Sequence, residues 1–267
     1  MSAMVSVVCL VGALVLGGAT SLPMERYALN VTTNTGNHVM MRIDTYNAES
    51  FVPPADSATA FTLPGGITWE DQNVQTATSA GPVTEASLGL SPLSAFMRAH
   101  GIVTIDQKMG KLIVGEFDPS GACREGHMVY SHQAEGAGAW MLPLEWDADR
   151  FGVSNVTFLV DYREGYLIVP RVLDDTYQRY FDRRTDEFAQ MGRTYTVDDA
   201  RREVPTIHLK AGDVDVPMTP EEYVEDGPST EFTHNQMINA VITPFILDRM
   251  VLQLDLINHR IGVCTPN

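Results

Sequence analysis

The chain reads as a mainly β protein of two related halves, and three observations predict that class. Short apolar runs recur along it, separated by turns containing Gly, Asn and Pro, with few helical patterns between them. The stretch Met41-Arg42-Ile43-Asp44-Thr45-Tyr46-Asn47-Ala48-Glu49-Ser50-Phe51-Val52-Pro53 runs from apolar residues through an aspartate and a polar turn to an apolar pair and a proline. Phe158-Leu159-Val160-Asp161-Tyr162-Arg163-Glu164-Gly165-Tyr166-Leu167-Ile168-Val169-Pro170 repeats that plan, with its proline again nine positions after the aspartate. Two matched Asp turns imply two lobes that bring their carboxylates face to face.

The elements follow in order. Met4 to Gly18 is almost wholly apolar and ends in Gly17-Gly18-Ala19-Thr20-Ser21, the pattern of a secretory signal peptide cleaved after Ala19 or Ser21. Its start lacks Lys and Arg, so an uncleaved anchor is the alternative. No later segment is long and apolar enough to span a bilayer. Tyr27 to Thr33 and Val39 to Ile43 read as strands around the Asn34-Thr35-Gly36-Asn37 turn. Ala55 to Glu85 is polar and rich in Thr, Ser and Gly, and reads as short strands or loop. Leu88-Gly89-Leu90-Ser91 leads into a helix expected from Pro92 to His100, stopped by Gly101.

Lys111 to Val114 reads as a strand and Glu116 to Gly121 as a turn. Trp140 to Trp146 and Val156 to Val160 are strands, the second running into Asp161. After Pro170, Leu173, Tyr177, Tyr180 and Phe181 recur at helix spacing. Pro205 to Leu209 reads as a strand and Gly212-Asp213 as a hairpin turn. Val241 to Leu247 and Met250 to Asp255 are apolar, and Asn258 to Val263 closes a hairpin. The expected organisation is a signal peptide over 1–19, a first lobe over 20–135 and a second over 136–267.

The chain has 267 residues, 44% of them hydrophobic, enough for a substantial core. A formal net charge of −16 argues against nucleic acid or an anionic membrane as partner, because both repel it. Cys9 lies in the signal segment, leaving Cys123 and Cys264 as a plausible single disulfide in an oxidising compartment. Asn30-Val31-Thr32 and Asn155-Val156-Thr157 are glycosylation sequons, consistent with secretion or a lysosome-like compartment.

In its order of segments the chain resembles the pepsin-like aspartic peptidases. Asp44 to Pro53 aligns without a gap with that family's first Asp-Thr-Gly loop, and Asp161 to Pro170 with its second. Leu88-Gly89-Leu90-Ser91 resembles the family's Gly-Leu-Gly segment. Gly110-Lys111-Leu112-Ile113-Val114-Gly115-Glu116-Phe117-Asp118 resembles its Gly-x-Leu-x-x-Gly-x-x-Asp strand and turn. Pro205 to Val224, and Val241 to Val263, resemble its later segments. The resemblance implies the bilobal pepsin-like fold, with a shortened N-terminal lobe, few short helices and one aspartate from each lobe at a central cleft.

It also implies the chemistry. A water sits between two carboxylates that share one proton; one acts as base and the other donates to the peptide carbonyl. Asp44 and Asp161 are the residues that would do this. No cofactor or metal is expected, and the occupant of the cleft is a peptide or protein bound by a monomer.

The neighbours of the pair depart from the family. Tyr46 and Arg163 stand where a glycine lets the backbone pass close to a carboxylate. Thr45 keeps the threonine that braces the opposite loop, but its counterpart is Tyr162. Arg163 favours two ionised carboxylates, and Glu164 adds a third acid with the opposite tendency. The segment from Pro53 to Gly89 has no Tyr-Gly pair of the kind that marks a flap; Trp69 reads as core. The first strand follows the signal so closely that no basic pro-segment is expected. The two functional readings are therefore a degenerate aspartic endopeptidase and a non-catalytic paralogue that binds peptides or proteins in the cleft. A β-rich structural protein is the third. His127 and His132 read as loop residues, and neither a Gly-x-Ser-x-Gly elbow nor a phosphate-binding glycine loop occurs.

Overall fold

Alternation of buried and exposed residues shapes the strands that lead to the two aspartates. In a computed structural model, which describes residues 19–53, 58–76, 86–134, 136–163, 167–224, 229–230, 232 and 240–267, His38–Asp44 buries Val39, Met41 and Ile43 and points the intervening side chains outward. The strand becomes fully buried at its end, where Asp44 sits. Val153–Val160 does the same, with Phe158, Leu159 and Val160 buried just before Asp161. Each strand thus delivers a carboxylate into the interior. The expected signal segment lies, but for Ala19, outside the described residues.

Three sheets carry the fold. Seven strands between residues 28 and 89 form the first, in the order Ile67–Glu70, Ala60–Leu63, Ala28–Thr33, His38–Asp44, Ser87–Gly89, Phe51–Val52, Gln75–Thr76. The second has five: Val214–Met218, Ile207–Ala211, Met141–Asp147, Val153–Val160 and Val241–Ile242. A six-stranded sheet combines the two ends of the chain, in the order Thr20–Pro23, Lys111–Val114, Ile102–Asp106, Val251–Asp255, Arg260–Cys264, Val129–His132. Its centre is the antiparallel pairing of Ile102–Asp106 with Val251–Asp255, every residue of which is buried except Ile102.

The same local device holds both aspartates. Ser87–Gly89 runs parallel to His38–Asp44, with Gly89 opposite Asp44. Val241–Ile242 runs parallel to Val153–Val160, with Ile242 opposite Val160. Gly89 is required by space: a Cβ there would stand 2.8 Å from the Glu49 carbonyl oxygen and 3.0 Å from those of Ala48 and Asn47. The first Asp turn folds directly over this position, so nothing larger fits without backbone movement.

Several elements depart from their expected bounds for local reasons. The strand expected from Tyr27 starts at Ala28, because Tyr27 has φ 65°. The helix expected from Pro92 starts at Ala95, because Ser94 is its N-cap and accepts from the Met97 amide at 3.1 Å. Gly101, at φ 76°, ends it as expected. After Pro170 comes the one long helix among the described residues, Arg171–Gln190, which buries Leu173, Tyr177, Phe181 and Phe188. The polar segment after Pro53 holds the hairpin Ala60–Leu63 and Ile67–Glu70, which buries Phe61 and Trp69, their rings stacked at 4.9 Å. Trp69 is a core residue. Cys123 and Cys264 form a disulfide with their Cα atoms 5.7 Å apart.

Candidate functional site

The two Asp turns meet at the junction of the halves. Asp44 is fully buried and Asp161 3% exposed. Each carboxylate caps its own turn in the same way. Asp44 Oδ1 accepts from the amide of Tyr46 at 3.0 Å, and Asp161 Oδ1 from the amide of Arg163 at 2.9 Å. The amide that a glycine would supply is therefore present in both turns. Neither Tyr46 nor Arg163 has a positive φ, so both side chains are carried without backbone strain.

Beyond those amides the turns differ. In the first, Asn47 adds two donors to Asp44, its amide to Oδ1 at 2.9 Å and its Nδ2 to Oδ2 at 2.7 Å. The buried Thr45 hydroxyl crosses to the other half and donates to the Val160 carbonyl at 2.8 Å. In the second, Arg163 folds back on its own carboxylate, with Nε 3.1 Å from Asp161 Oδ1 and Nη2 3.0 Å from Oδ2. Tyr162, in the place corresponding to Thr45, has no hydrogen-bond partner for its hydroxyl among the described residues and is almost fully buried. Its ring packs against Tyr27 at 5.6 Å, and burial pushes its hydroxyl well above the usual range.

Arg163 also reaches the other half. Its Nε lies 3.5 Å from Asp44 Oδ1, so one guanidinium nitrogen stands within ion-pair distance of both carboxylates. The guanidinium rests over the Tyr46 ring at 4.7 Å, which fixes its plane. Tyr46 is 42% exposed and Arg163's side chain 32%, so these two residues, not the aspartates, present the surface of the site. A carboxylate offers about four acceptor sites; among the described residues, Asp44 meets donors from Tyr46, Asn47 and Arg163, and Asp161 from Arg163. Glu164 lies outside the described residues.

The structure places Asp44 and Asp161 on either side of one Arg163 nitrogen, within 3.5 Å of it. Asn47 carries a role that the sequence reading did not assign; an Asn three positions after a turn aspartate was the available signal. Beneath the site, the Tyr27 hydroxyl donates to Asp248, a half-buried carboxyl that burial raises above its usual range. No group of three or more His, Cys, Asp or Glu residues with metal-binding geometry occurs among the described residues.

No protein-family model matches the chain, and no curated protein matches it in sequence. Its architecture does have solved counterparts. The aspartic proteinase from Irpex lacteus superposes with a TM-score of 0.64 at 13% identity, over 93% of this chain and 98% of that one. The chain has the bilobal pepsin-like aspartic proteinase fold.

Proposed function

We propose that this chain is a secreted, non-catalytic protein of pepsin-like fold that holds a peptide or protein segment in the cleft above Asp44 and Asp161. The observation that carries this reading is Arg163, whose Nε stands 3.1 Å from one carboxylate and 3.5 Å from the other. Aspartic peptide hydrolysis needs a water between the two carboxylates and one proton shared by them. A guanidinium stays charged at any working pH and only donates hydrogen bonds. It therefore takes up acceptor sites on both carboxylates that the water would use. The exposed part of Tyr46 offers an aromatic surface, which suits a peptide's side chains.

One observation favours the endopeptidase reading: both turn amides and the Thr45 brace persist, so a dyad would be framed if Arg163 moved aside. Incubation with an unfolded protein between about pH 3 and 6 separates the two readings. The expectation is no cleavage by wild type, with retention of peptides from a mixed library that Tyr46→Ala weakens. Cleavage by wild type that both Asp44→Asn and Asp161→Asn abolish would overturn the proposal.

Secretion is supported by the Cys123–Cys264 disulfide and by the exposure of both Asn30 and Asn155 on their strands. Cleavage after Ala19 leaves the strand Thr20–Pro23 whole, whereas cleavage after Ser21 removes its pairings with Val114 and Ile113. The intact mass of protein collected from a secreting eukaryotic cell should correspond to a start at Thr20, with glycan on Asn30 and Asn155. A mass that retains the apolar segment would sink this reading.

A further inference from the structure

Thr176, Arg179, Tyr180 and Arg183 recur at i, i+3, i+4 and i+7 along Arg171–Gln190, so they form one stripe of the helix. Arg150 and Phe151 face that stripe from the turn between Met141–Asp147 and Val153–Val160. Together the six line an open pocket of about 550 Å³ that includes no residue of the two Asp turns. Three of them are arginines and none is acidic. In a chain with 34 acidic against 18 basic residues, this is a local reversal of sign.

Arg150 and Arg183 rest on aromatic rings, whereas Arg179 is largely exposed. Arg150 Nη2 donates to the Tyr180 hydroxyl at 3.1 Å, and its guanidinium lies 5.5 Å from the Phe151 ring and 5.2 Å from that of Tyr180. Arg183 lies over the same Tyr180 ring at 5.4 Å. The ring is anchored from behind, because its hydroxyl donates to Glu203 at 3.1 Å. Glu203 is committed elsewhere: Arg184 donates to both its oxygens, at 2.8 and 2.5 Å, and Tyr195 adds a bond at 3.0 Å. Its negative charge is thus neutralised by Arg184 and does not serve the pocket. Phe151 is fixed in turn by stacking on Tyr177 at 4.6 Å.

No carboxylate partners Arg150 among the described residues. Arg179 and Arg183 meet Asp175 and Glu187 only at 3.8 and 3.7 Å, along exposed helix turns where such pairs contribute little. Three guanidiniums therefore line one pocket with donors to spare, and an anion bound there would relieve their mutual repulsion. A planar fork of N–H groups matches a tetrahedral oxyanion, and the volume exceeds what a bare ion would fill while suiting a small molecule.

We propose that this pocket binds a phosphate or sulfate ester carried on a sugar-sized group, with Arg150 and Arg183 as the principal anion ligands, Arg179 at the rim and Phe151 as the apolar wall. Titrating the full mature protein with glucose 6-phosphate, glucose 6-sulfate and glucose by calorimetry or NMR tests it. At least one ester should bind about tenfold or more tighter than glucose, and the tighter of the two esters identifies the anion. Binding should weaken as salt is raised. Arg150→Gln and Arg183→Gln should each weaken the preferred ester about tenfold, whereas Arg193→Gln, on an exposed arginine outside the pocket, should not. Arg179→Gln supplies the same test should either of the first two fail to fold. Equal affinity for glucose and both esters, or an equal loss with Arg193→Gln, would overturn the proposal, as would no ester binding up to about 10 mM.

Discussion

The first and second Asp turns share a backbone and differ in nearly every side chain. Each follows a strand that buries itself toward its end, each caps its aspartate with the amide two residues on, and each lies beside a short parallel strand. In the first turn the donors around the carboxylate are small and local: two amides and the Asn47 side chain. In the second, among the described residues, Arg163 supplies them all through its amide and guanidinium and then reaches across to the first. The same capping geometry is therefore kept with different side chains around the carboxylate. Backbone amides and a steric gap keep the carboxylates in register, while the residues between them decide what the pair can do.

The largest break in this comparison is expected at position 162. Tyr162→Thr makes the second turn match the first and offers a hydroxyl to the Ile43 carbonyl, the mirror of the Thr45 to Val160 bond. It also empties the volume of a buried ring packed on Tyr27. The cavity outweighs the new bond, since truncating a buried aromatic costs about 3–5 kcal/mol and a hydrogen bond returns about 1. A net loss of about 3 kcal/mol in denaturant unfolding is expected; an unchanged or raised midpoint would show that the halves still tolerate symmetry here.

A smaller effect is expected where the flanking strands differ. Gly89 lies against three carbonyl oxygens of the first turn, whereas the residue after Ile242 in the second half is the buried Thr243. Gly89→Thr should cost about 2–3 kcal/mol, because backbone has to shift to admit the side chain. The reciprocal Thr243→Gly should cost about 1, mostly through the freedom a glycine gains in the unfolded chain. Unfolding curves for the two variants check the asymmetry, and equal losses would contradict it.

Much of this arrangement is legible in the sequence because it is local. The nine-residue spacing from each aspartate to its proline, the Gly89 segment and the alternation in His38–Asp44 all depend on near neighbours. The six-stranded sheet is less legible. Thr20–Pro23 and Val129–His132 carry weak alternation, and Ile102–Asp106 is buried almost throughout, so their roles come from partners far along the chain. The helix Val197–Glu203 escapes for a different reason: it is short and polar, though Thr196 and Asp199 form a capping box that marks its start. Arg163 was readable as a perturbing charge, but its bridging geometry depends on how closely two turns separated by over a hundred residues approach. Side-chain direction across such a junction is set by packing, not by propensity.

The smallest expected effect lies beneath the turns, where the halves share a carboxyl. Asp248 accepts from Tyr27, and it faces Arg249 and the buried Tyr162 as well. Burial raises its carboxyl above the ordinary value of 3.8, and this outweighs the Tyr27 hydrogen bond and the Arg249 charge, both of which act to lower it. A carboxyl raised in the folded state binds its proton more tightly there than in the unfolded chain. Its contribution to stability is thus fully present below the ordinary value and is lost as pH rises through the raised one. Asp248→Asn keeps an acceptor for Tyr27 and removes the titration. Wild type and variant should melt at similar temperatures near about pH 3.5. The variant should then gain on wild type as pH rises toward neutrality. A difference in melting temperature that stays constant with pH would show that Asp248 is solvated at the junction and that the Tyr27 and Tyr162 contacts do not shield it.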